Sequence, residues 1–125
     1  MEERRQARER AVQALYQIDI NKNVSYQNMT ESLQEDLNGY SKKLINGVMS
    51  HLSEIDQEIS DKLEHWSFNR IATVEKTVLR IAVYEMLYED SVPKEVSVNE
   101  AVELAKRFNE EKSGKFINGV LSKFM

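Results

Sequence analysis

The chain has 125 residues, of which 41% are hydrophobic and 30% are charged, with a net charge of −4. That length is enough for one domain with its own core, and we predict a single domain over residues 1–125. The absence of cysteine excludes disulfides and thiolate metal sites. No apolar run approaches the roughly 18 residues of a membrane span, and the first residues lack a signal-peptide pattern, so we expect a cytoplasmic protein.

Apolar residues in the first half recur at spacings of three and four, which predicts helices rather than strands. We expect a first helix over about residues 3–20. A second helix is expected after a cap at Ser25, a third after Gly39, and a fourth after a weak cap at Ser53.

The second half predicts three more helices. The first runs from Thr73 to about residue 88, and its wide apolar face marks it as the central, most buried helix. Pro93 marks the following loop, and Ser97 with Glu100 fits a capping box that opens the next helix. A last helix follows Gly114. The pattern therefore predicts an all-α fold of about seven helices with short connections.

Positive charge gathers at both ends of this acidic chain. Residues 1–18 carry four Arg against three Glu, and residues 104–125 carry five Lys or Arg against two Glu. Aromatic rings lie among the C-terminal cations, at Phe108 and Phe116. Cations contact phosphates while bases stack on rings, so this pattern is typical of single-stranded nucleic-acid binding. Because only local patches are basic, we expect modest affinity and the need for a partner.

The N-terminal arginines have two interpretations. They could form the solvated start of an amphipathic helix, with Glu2, Glu3 and Glu9 as partners within it. Alternatively they contact phosphates, for which the planar guanidinium is well suited. Arginine is unfavourable near the positive end of a helix dipole, and this favours a role beyond local helix stability.

The C-terminal ring has two interpretations as well. Phe116 could belong to the core, since Val120 follows four residues later. Alternatively, Lys115 and Phe116 follow a Ser113–Gly114 turn and lie at a helix N-terminus, which would bind an anion beside a ring. Trp66 is expected to be a packing anchor.

Catalytic and metal-binding patterns are weak. His51 and His65 are the only histidines and have no neighbouring ligands at metal-site spacing. Phosphate-binding and dinucleotide-binding glycine motifs are absent from the sequence. We therefore predict no catalytic residues, no metal and no cofactor.

Four segments resemble the NusB family of transcription antitermination factors. They are ARERAVQALYQIDI at 7–20, RIATVEKTVLRIAVYEM at 70–86, VPKEVSVNEAVELAKRF at 92–108 and KSGKFINGVLSK at 112–123. The resemblance implies an all-helical fold of two packed subdomains without enzymatic activity. It also implies binding to boxA RNA of ribosomal RNA transcripts with the small ribosomal subunit protein NusE, within the RNA polymerase antitermination complex.

The resemblance also implies site residues. The RNA-binding candidates are Arg4, Arg5, Arg8, Tyr16, Lys112, Lys115 and Phe116. Glu75 and Arg80 are candidates for binding the ribosomal protein. Lys112 stands where some relatives carry an acidic residue, which would raise the local positive charge.

Two alternatives remain open at this point. A NusB-like module also forms the N-terminal part of a ribosomal RNA methyltransferase, although a chain of this length without a cofactor domain favours the antitermination factor. The second alternative is a helical homodimer that mediates protein interactions. If both basic ends bind one RNA, Arg5 and Lys115 must lie on the same face of the fold.

Overall fold

The computed structural model of the protein describes residues 3–21 and 39–125. Within these ranges the α-helices are α1 (Arg4–Ile20), α2 (Gly39–Ser50), α3 (Leu52–Lys62), α4 (Thr73–Tyr88), α5 (Lys94–Phe108) and α6 (Glu111–Leu121). One short 3-10 turn lies between α3 and α4, at Phe68–Arg70, and another follows α6, at Ser122–Phe124. The same ranges contain no strand, which confirms the all-α prediction. The helix predicted after Ser25 lies outside the described residues.

The central helix is α4, as its wide apolar face predicts. It is buried from Thr77 to Met86 except at Arg80, and it packs against each of the other five described helices. The remaining helices form two groups, one of α1 to α3 and the other of α5 with α6. A single continuous cluster of buried apolar side chains runs through both groups. None of the helices described here is both long and apolar enough to cross a membrane.

The sequence predicts two helix starts too late, that of α5 by about one turn and that of α3 by about half a turn. Helix α5 begins at Lys94, directly after Pro93, whose carbonyl accepts the N–H groups of Val96 and Ser97. Proline is tolerated at this position because it has no backbone N–H, and the first N–H groups of a helix lack a partner within it. Ser97 is therefore no cap: it lies inside α5, is buried, and donates a hydrogen bond to Glu85. Similarly, α3 begins at Leu52, before the expected cap at Ser53.

Gly114 marks a close approach of two helices and not a turn. Helix α6 begins at Glu111, so Gly114 lies within it. A Cβ built on Gly114 would lie 2.8 Å from the Cε atom of Lys106 and 3.3 Å from a methyl of Val102, both on α5. The missing side chain lets α5 and α6 pack closely, which accounts for a glycine in a helix interior.

Gly47 on α2 has the same function against α4. A Cβ at this position would lie 2.2 Å from the ring of Tyr84, which is itself buried. The ring cannot move aside without disturbing the neighbours that it packs against. The glycine is therefore required by packing, although alanine is the better helix former.

We expect Gly47→Ala to lower the free energy of unfolding by about 1–3 kcal/mol, because the added methyl overpacks the contact with Tyr84. The matched control is Gly119→Ala in α6, where no atom lies within 4 Å of the added Cβ. That change should stabilise the helix by about 0.5–1 kcal/mol. Urea unfolding measures both free energies. Equal effects of the two substitutions would show that the Tyr84 ring does not restrict the side-chain size at position 47.

Candidate nucleic-acid interface

A buried ion pair joins the first helix to the centre of the fold. The Arg8 Nε atom donates to both carboxylate oxygens of Glu85, at 2.9 and 3.2 Å. Both side chains are almost fully buried. The same carboxylate accepts hydrogen bonds from the Tyr40 hydroxyl and from the Ser97 hydroxyl, the latter at 3.1 Å. The Glu85 charge is thus compensated by partners on α1, α2 and α5, which burial requires.

Arg8 does not lie on the exposed end of α1, and the prediction that it contacts RNA directly is corrected on this point. Its side chain is 4% exposed, so it cannot reach a phosphate in solvent. Besides Glu85, it donates to Glu100 on α5 at 3.3 Å. Sequence patterning could not distinguish this arginine from its neighbours, because its two acidic partners lie far along the chain.

Arg5 lies one turn before Arg8 and is exposed. Its Nε and NH2 atoms donate to the two oxygens of Glu100 at 3.0 and 2.9 Å. These hydrogen bonds hold the pKa of the Glu100 carboxyl below its usual range. Glu100 therefore links the exposed arginine to the buried one. The expected partners within α1 are Glu2, Glu3 and Glu9, but Arg5 and Arg8 form ion pairs with carboxylates on other helices, and Glu9 pairs with Arg107. Glu2 lies outside the described residues.

Arg5 and Lys115 line one groove, as a single RNA site requires. The groove runs between α1, α5 and α6, and its remaining lining residues are Asn99, Glu100, Val102, Glu103, Lys106, Gly114 and Asn118. We call it the Arg5–Lys115 groove. Lys106 contacts Glu103 and Glu111 at 3.8 and 3.7 Å. Lys115 is exposed and forms no ion pair with any described residue, so its charge is available to a phosphate.

The predicted anion-binding helix end is displaced from Lys115. Because α6 begins at Glu111, its free backbone N–H groups precede Lys115 by about one turn. Lys112 lies in that first turn and is exposed. Lys115 lies in the second turn and lines the groove.

Phe116 is half-buried and contacts the ring of Trp66. The ring centroids are 5.9 Å apart and the planes meet at 77°. Trp66 is 60% exposed, so the expectation that it is a packing anchor is wrong. It lies in the segment between α3 and α4, where the sequence has no helical periodicity from which burial could be judged. Phe116 packs against the core and also lines the surface, so its position is compatible with both interpretations.

Two depressions meet at the Trp66–Phe116 pair. We call the first the basic depression; Lys62, Leu63, Glu64, His65, Lys115, Gly119, Val120 and Lys123 complete its lining. We call the second the mixed depression; Arg70, Ile71, Glu75, Glu110, Lys112 and Ser113 complete it. The first has three lysines against one glutamate, and the second has balanced charge. Their chemistry therefore suits different ligands.

Two further predicted RNA contacts, Arg4 and Tyr16, also lie on α1. Arg4 is exposed, donates to the Ser91 hydroxyl at 3.2 Å, and lies 4.6 Å from the centre of the Tyr40 ring. Tyr16 is half-buried. It follows Arg5 by about three helical turns, so the two residues share one face of α1. An extended strand following that face would meet both.

The two predicted partner-binding residues differ in their surroundings. Glu75 is half-buried at the start of α4 and lines the mixed depression. Arg80 is 13% exposed and donates to both oxygens of Asp56 at 2.8 and 2.9 Å. It also lies 3.8 Å from Asp19. Arg80 therefore joins α4 to α3 and α1, which leaves little of it free to contact a partner.

Residues 3–21 and 39–125 contain no group of three or more His, Asp or Glu side chains that could hold a metal ion. His51 stacks on Tyr88 with ring centroids 4.1 Å apart, and its Nδ1 atom lies 3.3 Å from Glu54. His65 is exposed, with only Glu64 nearby at 4.0 Å. These surroundings are those of surface histidines.

The sequence profile of the NusB family matches residues 5–125. The chain belongs to the NusB family. A transcription antitermination protein NusB from Oceanobacillus iheyensis is 48% identical over 124 residues, which cover 98% of each chain. NusB from Bacillus subtilis is 45% identical over 95% of this chain and 92% of its own. The function that NusB-family membership implies is transcription antitermination.

Solved NusB structures have the same fold. T. maritima NusB superposes with a TM-score of 0.87 at 40% identity, over 98% of this chain and 90% of that one. A NusB solved as a complex of antitermination factors NusB and NusE with double-stranded RNA superposes with a TM-score of 0.82 at 32% identity, over 97% and 94%. The family resemblance seen in the sequence is thereby confirmed across nearly the whole chain.

We expect Arg8→Ala to lower the free energy of unfolding by about 3–5 kcal/mol, because it leaves the buried Glu85 carboxylate without its cation. The matched control is Arg5→Ala, which removes an exposed guanidinium from the same helix and should cost much less. Urea unfolding of the NusB-family chain and both variants tests this. Similar losses in the two variants would contradict the assignment of Arg8 as the buried partner.

The depressed pKa of Glu100 predicts a dependence of stability on pH. Since its pKa is lower in the folded state, ionised Glu100 stabilises the fold above its ordinary pKa of about 4.3. This contribution is lost as the pH falls through the folded value. Glu100→Gln should therefore destabilise the protein at neutral pH, with a difference from the unchanged chain that shrinks in acid.

Unfolding free energies of the unchanged protein and of Glu100→Gln, measured from neutral pH down into acid, test this prediction. Glu103→Gln is the matched control, because this carboxylate lies on the same helix and its side chain is 63% exposed. It should change stability much less at every pH. A Glu100→Gln effect that does not vary with pH would contradict the role of the ionised carboxylate.

Proposed function

We propose that this chain binds boxA RNA of ribosomal RNA transcripts together with the small ribosomal subunit protein NusE. It thereby helps RNA polymerase to resist termination in ribosomal RNA operons. The observation that carries the proposal is the convergence of Arg5 and Lys115 in one groove, with Phe116 beside it. The NusB–NusE complex with RNA, whose NusB has the same fold, supports both partners.

The RNA-binding residues in this proposal are Arg4, Arg5, Tyr16, Lys112, Lys115 and Phe116. The cations neutralise phosphates, while the rings of Phe116 and Tyr16 offer surfaces on which bases stack. Arg8 contributes indirectly, because it holds Glu100 and Glu100 in turn orients Arg5. A phosphate that approaches Arg5 competes with Glu100, which keeps its second partner when Arg5 turns away.

The charges of the groove account for a modest intrinsic affinity. Glu100 and Glu103 lie among Arg5, Lys106 and Lys115, so the field that attracts RNA is partly cancelled. The chain as a whole carries a net charge of −4, which disfavours non-specific binding to nucleic acid. Stable binding then requires contacts from the second protein.

We propose that NusE binds beside the RNA, at a surface that includes Glu75. This carboxylate shares the mixed depression with Lys112 and Phe116, so RNA and protein would contact adjoining residues. A basic ribosomal protein would be attracted by the acidic surface of the chain. Arg80 enters this surface only as a support, since Asp56 and Asp19 already hold its guanidinium.

The activity proposed here is binding without catalysis, in the cytoplasm and within the RNA polymerase antitermination complex. Phosphate and base recognition need positioned cations and rings, and the groove offers these. Its carboxylates are paired with arginine or lysine side chains, an arrangement that suits structural support better than acid–base chemistry.

Fluorescence anisotropy of a labelled boxA RNA, with and without NusE, tests the proposal. We expect preferential binding over a scrambled RNA of equal length, strengthened by NusE. With about three to five phosphate contacts, the logarithm of the binding constant should fall against the logarithm of salt concentration with a slope of about −2 to −4. Arg5→Ala should flatten that slope by about 0.7, and Phe116→Ala should weaken binding about fivefold or more.

The control variant is Lys42→Ala, which also removes one positive charge but lies outside the groove and both depressions. It should bind boxA RNA as the unchanged chain does. Equal binding to the scrambled RNA would reduce the interaction to non-specific electrostatics. No binding even with NusE would refute the proposal, and light scattering would then test for a homodimer.

A further inference from the structure

Trp66 is the most exposed of the large hydrophobic side chains in the described part of the chain. A tryptophan ring left largely in water offers a large, rigid apolar surface that a ligand or partner can bury. Trp66 lies in the short segment between α3 and α4, and its ring contacts the ring of Phe116 on α6. The ring is thus both accessible and supported from one side.

The charges around Trp66 differ between its two sides. On the side of the basic depression lie Lys62, Lys115 and Lys123, with Glu64 as the only acidic residue of its lining. Glu64 is paired with Lys123 at 3.1 Å, whereas Lys115 has no ion pair with a described residue. Cations beside an exposed ring match the phosphates and bases of a single strand. The mixed depression lacks this excess of positive charge.

The angle between the two rings favours unpaired RNA over a duplex. The planes of Trp66 and Phe116 meet at 77°, so bases stacked on them would be nearly perpendicular to one another. Successive bases in a duplex are parallel and cannot satisfy both rings. In a single strand the bases can splay apart and each stack on its own aromatic side chain.

We propose that Trp66 is a second stacking platform, which binds a base of single-stranded RNA next to the base held by Phe116. Its phosphate is neutralised by Lys115, which lines the basic depression. The inference rests on the proposed RNA-binding function and extends the RNA path from the Arg5–Lys115 groove, across Phe116, to the segment between α3 and α4. Lys115 lines both the groove and the basic depression, which makes the path continuous.

The experiment uses the fact that Trp66 is the only tryptophan of the chain. Unlabelled boxA RNA is titrated into the protein, with NusE present if it contains no tryptophan and with a tryptophan-free variant of NusE otherwise. Excitation at the red edge of the indole band excludes the tyrosines. Stacking of a base on the indole of Trp66 should quench the tryptophan fluorescence. The dissociation constant fitted to this quenching should equal the one measured by anisotropy. A fully paired duplex of the same sequence should quench it much less.

Three variants separate stacking from proximity. Trp66→Ala should weaken binding of boxA RNA about fivefold or more, whereas Trp66→Phe retains a flat ring and should recover most of the affinity. Tyr88→Ala is the matched control. It removes another exposed aromatic side chain, at the opposite end of α4 from the Trp66 segment, and should leave RNA affinity unchanged.

The outcomes are distinguishable. Quenching together with the loss in Trp66→Ala supports the inference. If boxA RNA binds with unchanged affinity to Trp66→Ala, the stacking inference is wrong while the proposed function stands. If Trp66→Ala instead weakens binding of NusE measured without RNA, Trp66 belongs to the protein interface and the inference is overturned. If boxA RNA does not bind at all, the proposed function itself fails.

Discussion

The buried ion pair between Arg8 and Glu85 is the interaction on which the rest of the structure depends. Burial of two charges is tolerable only when their hydrogen-bonding groups are satisfied, and Glu85 meets this condition with donors from α1, α2 and α5. The requirement therefore sets how four helices meet. Burial and the hydrogen bond to Glu85 also raise the pKa of Tyr40, which keeps its hydroxyl a donor. An internal requirement of the core thus determines where the first helix lies.

The same network reaches the surface that we assign to RNA. Arg8 holds Glu100, Glu100 holds Arg5, and Arg5 lines the groove that Lys115 enters from the other side. The close packing of α5 and α6 at Gly114 brings Lys115 to this position. The two basic ends of the chain meet because the core and one helix contact place them together. A groove built on such supports needs little rearrangement when it binds a ligand.

Acidic side chains within the groove have a functional consequence. They weaken its attraction for any polyanion, so binding depends on rings and on a second protein as well as on charge. In our proposals Phe116 and Trp66 supply the rings at one end, and Glu75, which lines the same depression as both rings, contacts the protein partner beside them. Recognition by several weak contacts together suits an adaptor that must release its RNA as well as hold it.

The sequence by itself determined the helices, the family and the basic ends, because helical periodicity and local motifs are short-range properties. It predicted α4 as the central helix, Phe116 as an RNA-binding candidate and Trp66 as a packing anchor, yet it misplaced the starts of α3, α5 and α6. Only the tertiary structure decided that Arg8 is buried, because its partner Glu85 lies 77 residues away. Only the tertiary structure showed that Trp66 is exposed, because the segment around it has no helical periodicity from which burial could be predicted. Burial and charge pairing depend on distant parts of the chain, and a linear pattern does not specify which of them will meet.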